Sequence, residues 1–76
     1  MKTVIVYYTQ MCPYCKLVKE WLKTHAIDFK DVDVGADAKA TDEMVAKSGQ
    51  MGVPVIDIEG EIIVGFDQKE LEKALL

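Results

Sequence analysis

The sequence predicts an α/β fold in which a four-stranded mixed sheet carries three helices, in the order β-α-β-α-β-β-α. Three observations predict it: short continuous apolar runs suited to buried strands, stretches with apolar residues at helical spacing, and a tight-turn signal between the last two runs. The 76 residues are 50% hydrophobic. That length supports one small core, so we expect a single domain over residues 1–76.

The first half of the chain has the pattern of a strand, a helix and a second strand. Residues 3–8 are β-branched and aromatic, as in a central strand that is buried on both faces. From Pro13 the apolar residues recur at helical spacing, and residues 29–34 return to strand chemistry. The apolar positions of this helix are Leu17, Val18, Trp21 and Leu22. A right-handed crossover would make the two strands parallel.

The second half begins with a helix that Asp37 is expected to cap and Gly49 to end. Its apolar positions are Ala40, Met44 and Val45. Residues 54–58 and 61–64 are two short apolar runs, and Glu59-Gly60 between them predicts a tight hairpin.

A capping box predicts the start of the last helix, with Asp67 as the cap and Glu70 three residues later. Leu71, Ala74 and Leu75 form its apolar positions. The hairpin and this helix would add an antiparallel edge to the sheet that the first half begins.

Charge and the N-terminal sequence limit the class of protein. The net charge of −4 argues against nucleic acid or an anionic membrane as the main partner. The apolar run at residues 4–8 is too short for a secretory signal or a membrane span. A Cys-x-x-Cys pair in such a chain favours cytoplasmic redox or metal chemistry. We therefore expect a cytoplasmic protein, and nothing in the pattern requires an oligomer.

Cys12-Pro13-Tyr14-Cys15 lies between the first strand and the first helix and contains both cysteines. A disulfide across two residues closes too short a loop to stabilise the fold much. At a helix N-terminus, unpaired amides and the helix dipole stabilise a thiolate. This position predicts Cys12 as the nucleophile, and Cys15, one turn deeper, as the resolving thiol.

Metal binding is the competing interpretation of the two cysteines. With His25 the chain offers three ligands of the types that zinc prefers, whereas a tetrahedral site needs four. A dimeric metal or iron–sulfur carrier would therefore need two chains or external thiols. We expect no metal site and no bound cofactor.

These residues resemble the glutaredoxin family, which has a thioredoxin-like fold. Residues 12–15 match the motif of dithiol glutaredoxins, and Gly52-Val53-Pro54 falls at the family's Thr-Val-Pro segment with its cis-proline. Residues 64–67 fall at its Gly-Gly turn and acidic pair. The resemblance implies a reductase of protein disulfides or glutathione mixed disulfides. The implied substrate groove comprises Tyr14, Val53, Pro54, Gly65, Phe66 and Asp67.

The chain departs from the family at several glutathione contacts. The lysine that many members carry before the first cysteine is replaced by Thr9 and Gln10, and Gln50 could compensate by hydrogen bonding. The other departures are Gly52, Val64 and Gln68. Glutathione remains the expected reductant. The alternative is thioredoxin reductase with NADPH, as for redoxins that serve ribonucleotide reductase.

The remaining candidate residues have plainer interpretations. Trp21 is expected in the core and His25 at the end of the first helix. Met11 and Met51 either border the substrate groove or fill gaps in the core. Lys16 and Lys19 either add to the field that stabilises the Cys12 thiolate or form a solvated face with Lys23. Asp67 is better explained as a helix cap than as a ligand contact.

Overall fold

The structure is a computed structural model that describes residues 2–76, so Met1 of the predicted domain lies outside the described residues. The described residues form four strands and three helices in the predicted order. These elements are β1 (Val4–Tyr8), α1 (Pro13–Thr24), β2 (Lys30–Asp33), α2 (Ala38–Ser48), β3 (Val55–Ile58), β4 (Glu61–Val64) and α3 (Gln68–Leu75).

The four strands form one mixed sheet in the order β2-β1-β3-β4. β1 pairs parallel with β2, with Val6 opposite Asp31, and antiparallel with β3, with Val6 opposite Ile56. β4 continues antiparallel from β3, with Ile63 opposite Ile56. The predicted mixed sheet is confirmed, and its central strand β1 ends directly before the Cys-x-x-Cys segment.

Alternate residues of the strands face opposite sides of the sheet, as strand geometry requires. One apolar cluster lies between the sheet and helices α1 and α3, and a second lies between the sheet and α2. The first contains Val4, Val6, Val18, Trp21, Leu22, Ile56, Ile58, Ile63, Leu71 and Ala74. The second contains Tyr7, Val34, Ala40, Met44 and Val55.

Three predicted strands are shorter in the structure than in the sequence pattern, and the first of them begins at Val4 rather than at residue 3. The run at residues 54–58 pairs only from Val55, because Pro54 has no N–H to donate to a neighbouring strand. The run at residues 29–34 is regular over Lys30–Asp33, although Val34 N still donates to Tyr8 O at 2.9 Å. The predicted Glu59-Gly60 hairpin is confirmed, with both residues at positive φ (51° and 97°), as a primed turn requires.

The predicted helix caps are present. Asp37 Oδ1 accepts from Lys39 N and Ala40 N at 3.0 and 3.3 Å, and Gly49 ends α2 at φ 74°. Asp67 Oδ1 accepts from Glu70 N at 3.2 Å. The return bond of a capping box is replaced by an ion pair, since Glu70 Oε1 lies 3.7 Å from Lys73 Nζ.

The buried face of α1 differs from the predicted one at a single position. Leu17 is 42% exposed, because the core-facing stripe is narrower and runs through Cys15, Val18, Trp21 and Leu22. Trp21 lies in the core as expected. His25 caps the C-terminus of the helix and its Nδ1 lies 2.8 Å from Trp21 O.

Candidate active site

Cys12 is the N-cap residue of α1, with Pro13 following at the first helical position. Its Sγ accepts a hydrogen bond from Cys15 N at 3.2 Å, and its own N–H donates to Thr9 O at 3.3 Å. The sulfur therefore occupies the place of a capping oxygen, where the unpaired amides of the helix favour negative charge. Cys12 is also partly exposed, so an external disulfide can reach it.

Cys15 lies one turn deeper and is 1% exposed. Burial, together with the side-chain hydrogen bond to Cys12, raises the pKa of the Cys15 thiol to about 12. A hydrogen bond with the Thr9 backbone and the charge of Lys19 act in the opposite direction. The two thiols thus differ in access, with Cys12 open to solvent and Cys15 enclosed.

The Val53–Pro54 segment lies against Cys12 and its peptide bond is cis, as the resemblance implies. Val53 O is 3.8 Å from Cys12 Sγ. Pro54 is buried, and its carbonyl oxygen accepts from Gly65 N at 2.8 Å. The structure therefore brings the cysteines, the proline segment and the Gly65 turn together at one end of the sheet.

The other predicted groove residues have different surroundings. Tyr14 is 62% exposed beside the cysteines. Phe66 packs against the apolar cluster under α1 and α3, so much of its ring serves the core. Asp67 is exposed and caps α3. Its capping role is thus confirmed, whereas its contact with a ligand stays a prediction.

Met11 and Met51 are 91% and 71% exposed, so the interpretation that they fill gaps in the core is wrong. Met11 directly precedes Cys12, and Met51 lies two residues before Val53. With Tyr14 they form an apolar rim on the two chain segments that meet at Cys12.

Polar groups near the cysteines are engaged within the protein. Gln10 Nε2 donates to Asp33 Oδ2 at 3.3 Å. The Gln50 side chain accepts from Gly52 N and donates to Gly52 O at 3.0 Å. Gln50 therefore stabilises its own loop, and its compensation for the missing lysine stays a prediction.

A shallow hollow beside Cys12 is lined by Thr9, Gln10, Met11, Asp33, Gly35 and Ala36 and has a volume of about 320 Å³. Of these described residues, only Asp33 is charged. This side of the site therefore presents negative charge where many family members carry a lysine.

One interpretation of the sequence pattern predicts a solvated face that includes Lys19, and the structure contradicts this prediction for Lys19. Only 19% of its side chain is exposed, and its Nζ lies 3.1 Å from Asp31 Oδ2 and 3.2 Å from the centroid of the Tyr8 ring. The hydrogen bond from Lys19 lowers the pKa of Asp31 below its ordinary value. The spacing of four residues from Cys15 was the signal that could have identified Lys19.

A second charged group lies on the α2 side of the sheet, and the sequence analysis missed it. Lys47 Nζ donates to Asp57 Oδ2 at 2.8 Å and to the Tyr7 hydroxyl at 2.7 Å. Burial alone would raise the pKa of Asp57, but hydrogen bonds from Lys47 and from Gly60 N hold it below its ordinary value. The signal in the sequence was Asp57, a single carboxylate within an otherwise apolar strand.

Among residues 2–76, no group of three or more His, Cys, Asp or Glu side chains is arranged to hold a metal ion. None of the described helices has the length and apolar character needed to cross a membrane.

Comparison with known proteins places this geometry among redox proteins. The family model named Glutaredoxin matches residues 4–63. A Clostridium pasteurianum protein, described as an uncharacterized glutaredoxin-like 8.6 kDa protein in a rubredoxin operon, is 51% identical over 92% of this chain and 93% of its own. The glutaredoxin-like protein NrdH of Lactococcus lactis subsp. cremoris is 34% identical over 92% and 96%. The glutaredoxin structure from Archaeoglobus fulgidus superposes with a TM-score of 0.90 at 25% identity, covering 99% and 87%.

Proposed function

The chain belongs to the glutaredoxin family and is a thiol–disulfide oxidoreductase, and from this premise we propose that it reduces protein disulfides with electrons from a flavin disulfide reductase. The observation that carries the choice of reductant is the hollow beside Cys12, where Asp33 stands and no lysine does. Glutathione, an anionic tripeptide, would therefore meet no positive charge among the described residues that line that hollow.

The two cysteines perform the reaction in two displacements. The Cys12 thiolate attacks one sulfur of the target disulfide, forms a mixed disulfide and releases the first target thiolate, which takes up a proton. Cys15 then loses its proton and attacks the Cys12 sulfur, which releases the second target thiolate. The product is a Cys12–Cys15 disulfide, and the two electrons have passed to the target.

Recognition of the target uses backbone and apolar contacts. The peptide at Val53 lies against Cys12, which suits an extended target segment that pairs with it as an added strand. Met11, Tyr14 and Met51 add exposed apolar surface on either side. Flexible methionine side chains adapt to partners of different shape, which favours protein segments as substrates.

Glutathione is the second candidate reductant, and one feature favours it. The Gly65 turn is hydrogen-bonded to Pro54, and Asp67 follows it as an exposed carboxylate at the start of α3. The resemblance to glutaredoxins implies a contact with the ammonium group of glutathione there. Asp67 would bind the ammonium end of glutathione, while the negative charge of Asp33 in the hollow disfavours the glycine carboxylate at its other end.

We propose a monomer as the working unit. We also place the activity in the cytoplasm, where thiols are kept reduced, and assign it no resident cofactor.

The test is turnover of a protein disulfide with two electron sources in parallel. One is NADPH with thioredoxin reductase, and the other is glutathione with glutathione reductase and NADPH. We expect turnover with the flavoenzyme and about tenfold less with glutathione, the size of one missing charge-assisted contact. Efficient turnover with glutathione and none with the flavoenzyme would contradict the proposal.

A charge-restoring variant sharpens the same test. Gln10→Lys combined with Asp33→Asn provides a cation and removes the competing carboxylate, so turnover with glutathione should rise while turnover with the flavoenzyme is retained. Asp33→Asn alone is the matched control. A double variant that gains nothing with glutathione would show that charge in this hollow does not select the reductant.

A further inference from the structure

Lys19 and Cys15 are neighbours on one face of α1. They are four residues apart, so their side chains lie one helical turn from each other. Both line a narrow cleft of about 190 Å³ whose other lining residues are Tyr8, Thr9, Gln10 and Lys16. Cys15 is only 1% exposed, so it lies in the wall of this cleft rather than open to it.

The ammonium group of Lys19 is held in place. It lies over the Tyr8 ring at 3.2 Å from the centroid and 3.1 Å from Asp31 Oδ2. A cation partly removed from water interacts strongly with an aromatic face. A freely solvated lysine would have neither contact, so β1 and β2 together position this charge at the cleft.

The resolving step requires Cys15 as a thiolate, and a positive charge beside Cys15 stabilises that form. Cys15 reacts only as the thiolate, yet its burial disfavours that form. The positive charge of Lys19 acts against this effect of burial on the Cys15 thiol.

We propose that Lys19 is a positioning residue for the resolving step, whose ammonium stabilises the Cys15 thiolate while the cleft lets the thiol proton pass to solvent. The proposal rests on the role of Cys15 as resolving thiol given above. Water accepts the proton of the Cys15 thiol. The thiolate then forms the S–S bond to Cys12, and the bond from Cys12 to the target sulfur breaks.

The groups that face Cys15 come from β1 and from its own helix with its N-cap. The helix and N-cap supply Cys12, Lys16 and Lys19, and β1 supplies Tyr8 with the Thr9 backbone beyond it. Asp31 of β2 lies outside the cleft and holds the Lys19 ammonium through their ion pair. The described residues of β3, β4 and α3 place no side chain in this cleft.

The experiment isolates the resolving step. The mixed disulfide of Cys12 with an aromatic thiol is formed from its symmetric disulfide at low pH, where Cys15 is protonated. The pH is then raised and release of the second aromatic thiol is followed by absorbance. Lys19→Met should slow this release roughly three- to tenfold at neutral pH and move the midpoint of its pH profile upward. Lys19→Arg should restore the wild-type profile to within about twofold.

Two further variants separate charge from packing. Lys23→Met, the same change one turn further along α1, should match wild type. Lys19→Gln, which keeps most of the side-chain length without the charge, should behave as Lys19→Met does. The proposal is overturned by an unchanged profile for Lys19→Met, or by equal slowing in Lys19→Met and Lys19→Arg. If Lys19→Met does not fold, an unchanged midpoint in Lys19→Gln overturns it alone. Release of the second thiol by Cys15→Ser would instead refute the role of Cys15.

Discussion

At position 12 a cysteine occupies the place that serine or aspartate usually takes at the start of a helix. Cys12 Sγ accepts from Cys15 N, so the amide that caps the helix also stabilises negative charge on the attacking sulfur. Cys15 contributes that amide while its own thiol stays buried. The backbone between the two residues therefore leaves one sulfur accessible and hydrogen-bonded and the other buried, which suits the proposed roles of attacking and resolving thiol.

Serine variants of the two cysteines should fail at different steps. Cys12→Ser should abolish turnover, because no exposed thiol remains to attack the target. Cys15→Ser should still attack but accumulate the mixed disulfide, since no thiol displaces the target. Mass spectrometry of the oxidised variants checks this, with the target's added mass on Cys12 in Cys15→Ser. Full turnover by Cys12→Ser would refute the assignment.

At the scale of elements, α2 is joined to the sheet by charge as well as by apolar contact. Lys47 of α2 reaches Asp57 of β3 and Tyr7 of β1. Asp57 also accepts from Gly60 N at 2.8 Å and so stabilises the hairpin after its own strand. One carboxylate therefore links a helix, a strand and a turn.

Breaking this link should be more destabilising than breaking an exposed pair. Lys47→Met leaves the Asp57 carboxylate without its ammonium partner, and we expect it to lower the free energy of unfolding by about 1–3 kcal/mol. The exposed Glu70–Lys73 pair provides the control, since Lys73→Met should change it by less than about 0.5 kcal/mol. Urea denaturation measures both, and equal losses would contradict a special role for Asp57.

The same pair predicts the acid side of the stability profile. The folded state holds the pKa of Asp57 below its ordinary value of 3.8. Its contribution to stability is therefore complete above that ordinary value and is lost as the pH falls through the folded-state pKa. Asp57→Asn should flatten the fall in stability below pH 3.8 in the same urea experiment.

At the scale of the whole molecule, one sheet separates two small apolar clusters. A chain of 76 residues has a net stability of roughly 4–11 kcal/mol. Neither cluster is large, so single contacts in either account for a considerable part of that stability. The active site depends on both, because β1 and β3 hold the segments that meet at Cys12.

Leu71 tests this dependence. It is fully buried where α3 meets the sheet. Leu71→Ala should lower the free energy of unfolding by about 2–5 kcal/mol, through lost burial and the cavity left behind. Leu76→Ala, at an exposed leucine, should have little effect. Thermal unfolding followed by circular dichroism distinguishes them, and a Leu71→Ala midpoint equal to wild type would contradict the packing described here.

Much of the fold and the centre of the site could be predicted from the sequence, because they depend on local chemistry. Strand and helix periodicity, the Asp37 and Asp67 caps and the Glu59-Gly60 turn each involve residues only a few positions apart. The location of Cys12 at a helix start follows from the same short-range pattern. The exposure of Leu17 shows the limit of prediction from short-range patterns, because periodicity indicates an apolar stripe on a helix but not the width of that stripe.

What only the tertiary structure decided concerns partners far apart in the chain. Lys19 meets Asp31 and Tyr8 because β1 and β2 pair in parallel beside α1, and Lys47 meets Asp57 across α2 and the sheet. Gln10 donates a hydrogen bond to Asp33 for the same reason. A charged side chain has no preferred neighbour until packing supplies one. The sequence by itself thus predicted which sulfurs react, and the fold determined the charges that surround them.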